Sequence, residues 1–143
     1  MSVKDILKTK GHEVYAVSEG VKLREAIGVL NEKNIGVVLI TDSGGKLAGI
    51  LSERDVIRRS LLQETGFRDE PVTKSMTKNV LTVPSSASVD DVMEIMTNAH
   101  IRHVPVLDGD EINGLISIGD VVKRKIADAE NEAAQLRNYI SAG

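Results

Sequence analysis

The sequence predicts an α/β (α+β) fold in which two pseudo-symmetric β-α-β-β-α units pack sheet to sheet, followed by an extended C-terminal helix. Two observations support this prediction. Residues 49–55 and residues 114–120 share one pattern: a glycine, two apolar residues, a serine, two variable residues and an aspartate. The segments that precede these two motifs also match each other, because each contains a helical apolar pattern followed by a strand-like one. The chain is therefore an internal duplication.

Each copy is predicted to begin with a short strand, at residues 14–17 and 80–83, and to continue into an amphipathic helix. Apolar residues in this helix recur at i, i+3, i+4 and i+7, which is the spacing of one buried helical face. They are Leu23, Ala26, Ile27 and Leu30 in the first copy and Val89, Val92, Met93 and Met96 in the second. Ser88 and Asp91 mark the start of the second helix as a capping box.

A hairpin follows each helix. The strands are predicted at residues 35–40 and 47–51 in the first copy, and at 101–106 and 112–116 in the second. The intervening turns contain Asp, Ser and Gly, which are typical of tight connections. One such unit would expose an apolar sheet face and would hardly be stable alone. Two units packed face to face would cover each other.

The chain divides into two repeats and an extension. The predicted parts are repeat one at 1–66, repeat two at 67–126 and a helical extension at 127–143. A linker is expected at residues 64–70, where Thr65 and Gly66 interrupt the helix that closes the first repeat. The segments that lead into the two repeats, which we call the lead-in segments, also correspond loosely: Val3 and Leu7 match Val72 and Met76.

The C-terminal segment departs from the repeat and is predicted to stay helical to about Ile140. Apolar residues there alternate spacings of four and three, which is a heptad seam that packs against another helix. The seam consists of Val122, Ile126, Ala129, Ala133, Leu136 and Ile140. It is too short for an autonomous coiled coil, so we expect it to extend the contact within a homodimer.

The two serine–aspartate junctions carry the candidate chemistry. Ser52 and Ser117 stand where a helix N-cap belongs, and Asp55 and Asp120 stand three residues later. The first N–H groups of a helix lack internal partners and can bind phosphate. A nearby carboxylate can accept hydrogen bonds from ribose hydroxyls. The same residues also form a capping box, so a structural role is the alternative interpretation.

Composition narrows the function classes. The chain has 143 residues, a net charge of −3, one Phe, two Tyr and no Trp, so it lacks the basic and aromatic surface that nucleic-acid binding favours. No apolar run approaches a membrane span, and the N-terminus has no apolar secretory core. Only three His and no Cys argue against a metal site. A cytoplasmic protein is expected.

The sequence resembles the tandem cystathionine β-synthase (CBS) domain pair, or Bateman module, over nearly its whole length. The resemblance rests on both Gly-x-x-Ser-x-x-Asp junctions, on the order of elements, on residues 82–84 and on residues 101–106. It is strongest to the small stand-alone bacterial proteins that consist of one CBS pair. The resemblance implies clefts between the repeats that bind adenosine-containing ligands such as AMP, ADP, ATP, NAD or S-adenosylmethionine.

The same resemblance implies residue roles. Asp55 and Asp120 would hold ribose, Ser52 and Ser117 would meet phosphate, and backbone near Val38 and Val104 would contact adenine. Arg54 and Arg102 are candidate phosphate partners, and His103 is expected to line a pocket or to be structural. The two clefts should differ, because Gly36 and Val37 replace Arg102 and His103 in the first repeat. The full set of predicted ligand-binding residues is Thr82, Arg102, His103, Val104, Pro105, Ser117, Asp120, Gly36, Val38, Ser52, Arg54 and Asp55.

The favoured function is a non-catalytic adenine-nucleotide sensor that acts as a homodimer and regulates an unidentified protein target, with no required cofactor. One alternative is an interaction scaffold with degenerate clefts, suggested by the altered residues 15–18 in the first repeat. A small nucleotide-processing enzyme is the other alternative. The sequence offers no close Ser/His/acid set and no glycine-rich Walker loop for it.

Overall fold

The computed structural model describes residues 1–62 and 65–142. In chain order the elements are α1 (Val3–Lys10), β1 (Ala16–Ser18), α2 (Leu23–Lys33), β2 (Val37–Thr41), β3 (Leu47–Ser52), α3 (Glu53–Ser60), two 3-10 turns (Phe67–Asp69 and Val72–Lys74), α4 (Val89–Ala99), β4 (His103–Asp108), β5 (Glu111–Ser117) and α5 (Ile118–Ala142). The predicted mixed α/β class, the duplication and the long C-terminal helix are confirmed.

Helices α2 and α4 occupy equivalent places in the two repeats and bury the predicted apolar faces. The buried residues are Leu23, Ala26 and Leu30 in α2 and Val89, Val92 and Met96 in α4. Each helix ends at a residue in the left-handed region, Asn34 with φ 53° and His100 with φ 54°. This conformation stops the helix and turns the chain toward the strand that follows.

The strands form two small sheets. In the first sheet the order is β1-β2-β3, with β1 parallel and β3 antiparallel to β2. In the second sheet β4 and β5 pair antiparallel. The strand predicted at residues 80–83 is wrong in extent, because only Val83 pairs, through one parallel bridge to Val106. Pro84 follows and has no N–H to donate, so the pairing does not extend beyond Val83.

Two hydrophobic cores lie on these sheets, and each is completed by the lead-in segment of the other repeat. The first core consists of Leu23, Ala26, Leu30, Val38, Ile40, Leu51 and Val72. The second consists of Val3, Ile6, Leu7, Val83, Val89, Val92, Met96, Val104, Val106, Ile116 and Val121. Helix α1 thus packs on the second repeat although it precedes the first. Val72, in the lead-in segment of the second repeat, packs in the core of the first. The two repeats are interlocked.

The glycines that open the two repeated motifs are explained by this interlocking. A Cβ atom built on Gly49 would lie 2.6 Å from Met76 Sδ and 2.9 Å from the backbone oxygen of Thr77. A Cβ atom built on Gly114 would lie 2.6 Å from Leu7 Cδ2. Each glycine therefore makes room for a lead-in segment that presses on the strand.

The remaining segments are the linker and the C-terminal helix. The predicted linker begins at Glu64, which lies outside the described residues, and its later part forms a turn with Gly66 at φ 77°. Helix α5 has 25 residues, and its apolar seam faces solvent: Ile126, Leu136 and Ile140 are 54%, 60% and 69% exposed. The extension predicted at 127–143 ends one residue beyond the described chain. No helix in the described ranges combines the length and apolar character that a membrane crossing requires.

Candidate functional site

Both serine–aspartate junctions form capping boxes. At the first, Asp55 Oδ2 accepts from Ser52 N at 2.8 Å and Ser52 Oγ accepts from Asp55 N at 3.2 Å. At the second, Asp120 Oδ2 accepts from Ser117 N at 2.8 Å and Ser117 Oγ accepts from Asp120 N at 3.2 Å. The two local geometries match, so the structural role of this motif is real in both copies.

The capping hydrogen bonds leave the Asp55 carboxylate able to accept others. Ser52 N and Ser52 Oγ both donate to Asp55 Oδ2, whereas Asp55 Oδ1 accepts from Thr77 Oγ1 at 3.3 Å. An ionised carboxylate has about four lone-pair sites, so Asp55 can accept further hydrogen bonds. Thr77 is itself fixed by paired backbone hydrogen bonds to Ile50 in β3.

A cavity of about 630 Å³ lies beside this first junction, between the two repeats. The first repeat contributes the end of β3 and the first turn of α3, and the second contributes the segments on either side of α4. The lining residues are Gly36, Val37, Ile50, Ser52, Glu53, Arg54, Asp55, Arg58, Thr77, Asn79, Val80, Leu81, Ala99, His100, Ile101, Arg102 and His103. Such a volume is in the range of small-molecule sites.

The cavity brings together six of the twelve residues predicted from the sequence. They are Gly36, Ser52, Arg54, Asp55, Arg102 and His103. Val38, Val104 and Pro105 are buried within the strands, and Thr82, Ser117 and Asp120 do not line this cavity. Arg102 and His103 thus line the cavity of the first junction from across the boundary between the repeats. They also adjoin the second junction, where the backbone oxygen of Arg102 accepts from Ile118 N at 2.8 Å and His103 pairs with Ser117.

The sequence-based prediction omitted five polar residues of the cavity, namely Glu53, Arg58, Thr77, Asn79 and His100. Arg58 follows Arg54 by four positions on α3, so helical spacing could have placed both side chains on one face. Thr77 gave no such signal, because its contact with Asp55 depends on the exchange of lead-in segments.

Three arginines face the cavity, namely Arg54, Arg58 and Arg102, together with the carboxylates of Glu53 and Asp55. None of these arginines forms an ion pair within the part of the chain that the structure describes. Guanidinium groups bind phosphate through paired, geometrically fixed N–H donors. The cavity therefore combines two carboxylates with three arginines that are available to bind an anion.

His103 lies between the two junctions. A Cβ atom built on Gly36 would be 3.5 Å from the His103 ring, so the first repeat packs directly against it. Burial lowers the pKa of His103, the positive charges of Lys10 and Arg102 lower it further, and Asp120 and Glu53 oppose the shift. The ring is therefore neutral at pH 7 and can donate or accept one hydrogen bond at each nitrogen.

At the second junction the aspartate, Asp120, also contacts a lysine. Lys10 Nζ donates to Asp120 Oδ2 at 2.6 Å and to the backbone oxygen of Leu115 at 2.6 Å. Burial tends to raise the pKa of Asp120, but hydrogen bonds from Lys10 and Ser117 outweigh it and hold that pKa below its usual value. Asp120 is thus an ionised carboxylate already paired with a cation from this chain.

The cavity presents charged and hydrogen-bonding side chains. Across residues 1–62 and 65–142, no three His, Asp or Glu side chains are grouped so that they could hold a metal ion. The groups in the cavity include the carboxylates of Glu53 and Asp55, three guanidinium groups and the neutral imidazole of His103, and Asp55 can accept further hydrogen bonds.

A family model for the CBS domain matches residues 3–62 and again residues 71–126. The chain therefore belongs to the CBS domain family, as a tandem pair. The resemblance stated from the sequence is confirmed, and the shared fold extends to the solved structures of such pairs.

Three relatives illustrate the match. A CBS-domain-containing protein from Agrobacterium tumefaciens has a solved structure with 41% identity and a TM-score of 0.82, over 87% of this chain and 92% of that one. The mitochondrial CBS domain-containing protein CBSX3 of Arabidopsis thaliana is 28% identical over 99% of this chain and 73% of its own length. The CBS domain pair of protein MJ0100, solved with 5′-methylthioadenosine and S-adenosyl-L-methionine, has 26% identity and a TM-score of 0.78, over 90% and 98%.

Proposed function

We propose that this protein is a non-catalytic regulatory module that binds an adenosine-containing ligand in the cavity beside Asp55. One observation carries the proposal: a carboxylate that can accept further hydrogen bonds and three arginines without ion pairs, among the described residues, line the same inter-repeat cavity. The carboxylate suits ribose hydroxyls, and the arginines suit phosphate. The bound adenosine compounds of the MJ0100 pair support the same ligand class.

The arginines favour a nucleotide over an uncharged nucleoside. Three guanidinium groups and two carboxylates together contribute a formal charge of +1 to the lining. A phosphorylated ligand such as AMP, ADP, ATP or NAD would gain from this balance, and 5′-methylthioadenosine would not. Binding would regulate a target only to the extent that the ligand prefers one arrangement of the protein over another.

Calorimetric titration with AMP tests the site. Asp55→Asn keeps the shape of the side chain and a capping oxygen but removes the charge, so we expect affinity to fall by about 1.5–3 kcal/mol, the worth of a hydrogen bond to a charged group. Asp110→Asn is the matched control, because Asp110 is an exposed aspartate paired with Lys46 outside the cavity. Equal affinities for the wild type and Asp55→Asn would remove Asp55 from the site.

A second variant tests the phosphate contact separately. Arg102→Gln should weaken AMP binding about tenfold or more and leave adenosine binding nearly unchanged, because adenosine has no phosphate to lose. Arg68→Gln, which removes an exposed arginine that lies over the Phe67 ring, is the control. A parallel loss for AMP and adenosine would instead indicate that Arg102 supports the fold of the cavity.

The proposal includes a homodimer built in part on α5. The seam residues of this helix are exposed in the single chain and repeat with heptad spacing, so a second copy of α5 would bury them. A cytoplasmic location and an unidentified protein target also remain part of the proposal, as predictions from the sequence.

The absence of catalysis is likewise a proposal. Incubation of the protein with ATP, AMP and NAD, followed by chromatography, should return each compound unchanged. Turnover that survives further purification and is lost in Asp55→Asn would overturn the non-catalytic assignment and make the same cavity an active site.

A further inference from the structure

The two junctions have the same capping geometry, yet different groups reach their aspartates. At the first, the neutral hydroxyl of Thr77 contacts Asp55 at 3.3 Å. At the second, the ammonium group of Lys10 contacts Asp120 at 2.6 Å. The side chains of Lys10 and Asp120 are 33% and 18% exposed, so the pair is partly shielded from water.

The difference arises where each lead-in segment meets its strand. Ile50 and Leu115 are equivalent in the repeated motif, 65 positions apart. The carbonyl of Ile50 accepts from the backbone N–H of Thr77 at 2.8 Å, whereas the carbonyl of Leu115 accepts from Lys10 Nζ at 2.6 Å. A lysine side chain thus replaces a backbone bridge, and the same ammonium group extends to the neighbouring aspartate.

Lys10 is held in this position by buried residues of its own helix. It is the last residue of α1, and Val3, Ile6 and Leu7 of that helix are buried in the second core. The chain after Lys10 is fixed as well, because His12 Nδ1 lies 2.7 Å from the backbone oxygen of Asn113. Anchors on both sides reduce the entropy lost when the lysine side chain is ordered.

We propose that Lys10 keeps the second junction from binding a ligand, so that the chain takes up one adenosine-containing ligand, beside Asp55. Lys10 Nζ, Ser117 N and Ser117 Oγ all donate to Asp120 Oδ2, and the ammonium charge offsets that of the carboxylate. A ribose hydroxyl is a neutral donor and gains less from a carboxylate whose charge is already offset. Lys10 is therefore a specificity-determining residue that makes two similar motifs unequal. This inference rests on the proposed function, because it assigns the number of ligands and the site that takes them.

Calorimetric titration with AMP, and separately with ATP, tests the inference through stoichiometry. The wild type should bind one molecule per chain. Lys10→Met keeps most of the aliphatic stem and removes the ammonium group, so the second junction should gain at least tenfold in affinity and the stoichiometry should rise to two. Adding Asp120→Asn to Lys10→Met should return it to one. Lys8→Met is the matched control, because Lys8 lies on α1 but forms no ion pair in the described ranges, and it should behave as wild type.

The outcomes separate this inference from the function on which it rests. Two equivalent molecules bound per wild-type chain would overturn the role of Lys10 and leave the proposed function intact. The same holds for a stoichiometry of one in a correctly folded Lys10→Met variant. Binding of neither AMP nor ATP to the wild type or any variant would refute the proposed function and this inference together. A wild-type stoichiometry of two overturns the inference without any variant, and Lys10→Gln takes the place of Lys10→Met where the latter fails to fold.

Discussion

Replacing the motif glycines by alanine should harm the first repeat more than the second. In Gly49→Ala the new methyl group would meet Met76 Sδ at 2.6 Å and the backbone oxygen of Thr77 at 2.9 Å. Met76 can change rotamer, but that oxygen accepts a hydrogen bond from Ile50 N at 3.0 Å and is fixed. In Gly114→Ala the close contact is with Leu7 Cδ2, the end of a side chain that can rotate.

The expected magnitudes follow from this contrast. Overpacking against fixed neighbours typically costs 1–3 kcal/mol, so we expect Gly49→Ala to lose about 2–3 kcal/mol of unfolding free energy and Gly114→Ala about 1 kcal/mol. For a domain of this size, 1 kcal/mol corresponds to a fall in Tm of about 2–8 °C. Urea unfolding followed by circular dichroism measures both variants against the wild type.

One control isolates the cause. Adding Met76→Ala to Gly49→Ala should recover only part of the loss, because the clash with the Thr77 oxygen remains. Full recovery would show that the methionine alone accounts for the cost. A neutral Gly49→Ala, or a Gly114→Ala variant as unstable as Gly49→Ala, would refute the argument that the first glycine is required by a close backbone approach.

The remaining predictions concern the tail, the second core and His103. Deleting residues 127–143 should weaken self-association without unfolding the chain, because the seam on α5 is exposed in the single chain; light scattering that shows an unchanged dimer on dilution would exclude a role for the seam. Leu7→Ala should cost about 2–5 kcal/mol in urea unfolding, since Leu7 is 1% exposed in the second core, and a cost below about 1 kcal/mol would contradict the exchange of lead-in segments. His103 has a lowered pKa in the folded chain, so the unfolded chain binds more protons and stability falls as pH drops below about 6.5 toward that lowered pKa. His103→Gln should reduce this loss between about pH 7 and pH 5, and an unchanged pH profile of unfolding would show that the histidine contributes nothing to it.

The sequence alone determined the architecture, because the pattern that encodes it is local. The apolar faces of α2 and α4 and the two serine–aspartate caps depend on spacings of three and four residues, and the structure contains all of them. Duplication strengthened each prediction, since one interpretation had to fit both copies. The strand predicted at residues 80–83 was too long, because pairing depends on a partner strand and not on the segment itself.

Only the tertiary structure decided how the two motifs differ. From the sequence, Arg102 and His103 belonged with the junction of the second repeat, and the packing of the repeats also brings both into the cavity beside Asp55. The contact of Lys10 with Asp120 joins residues 110 positions apart and follows from the packing of α1 on the other repeat. Such contacts depend on how whole elements pack, and no spacing within one repeat encodes them.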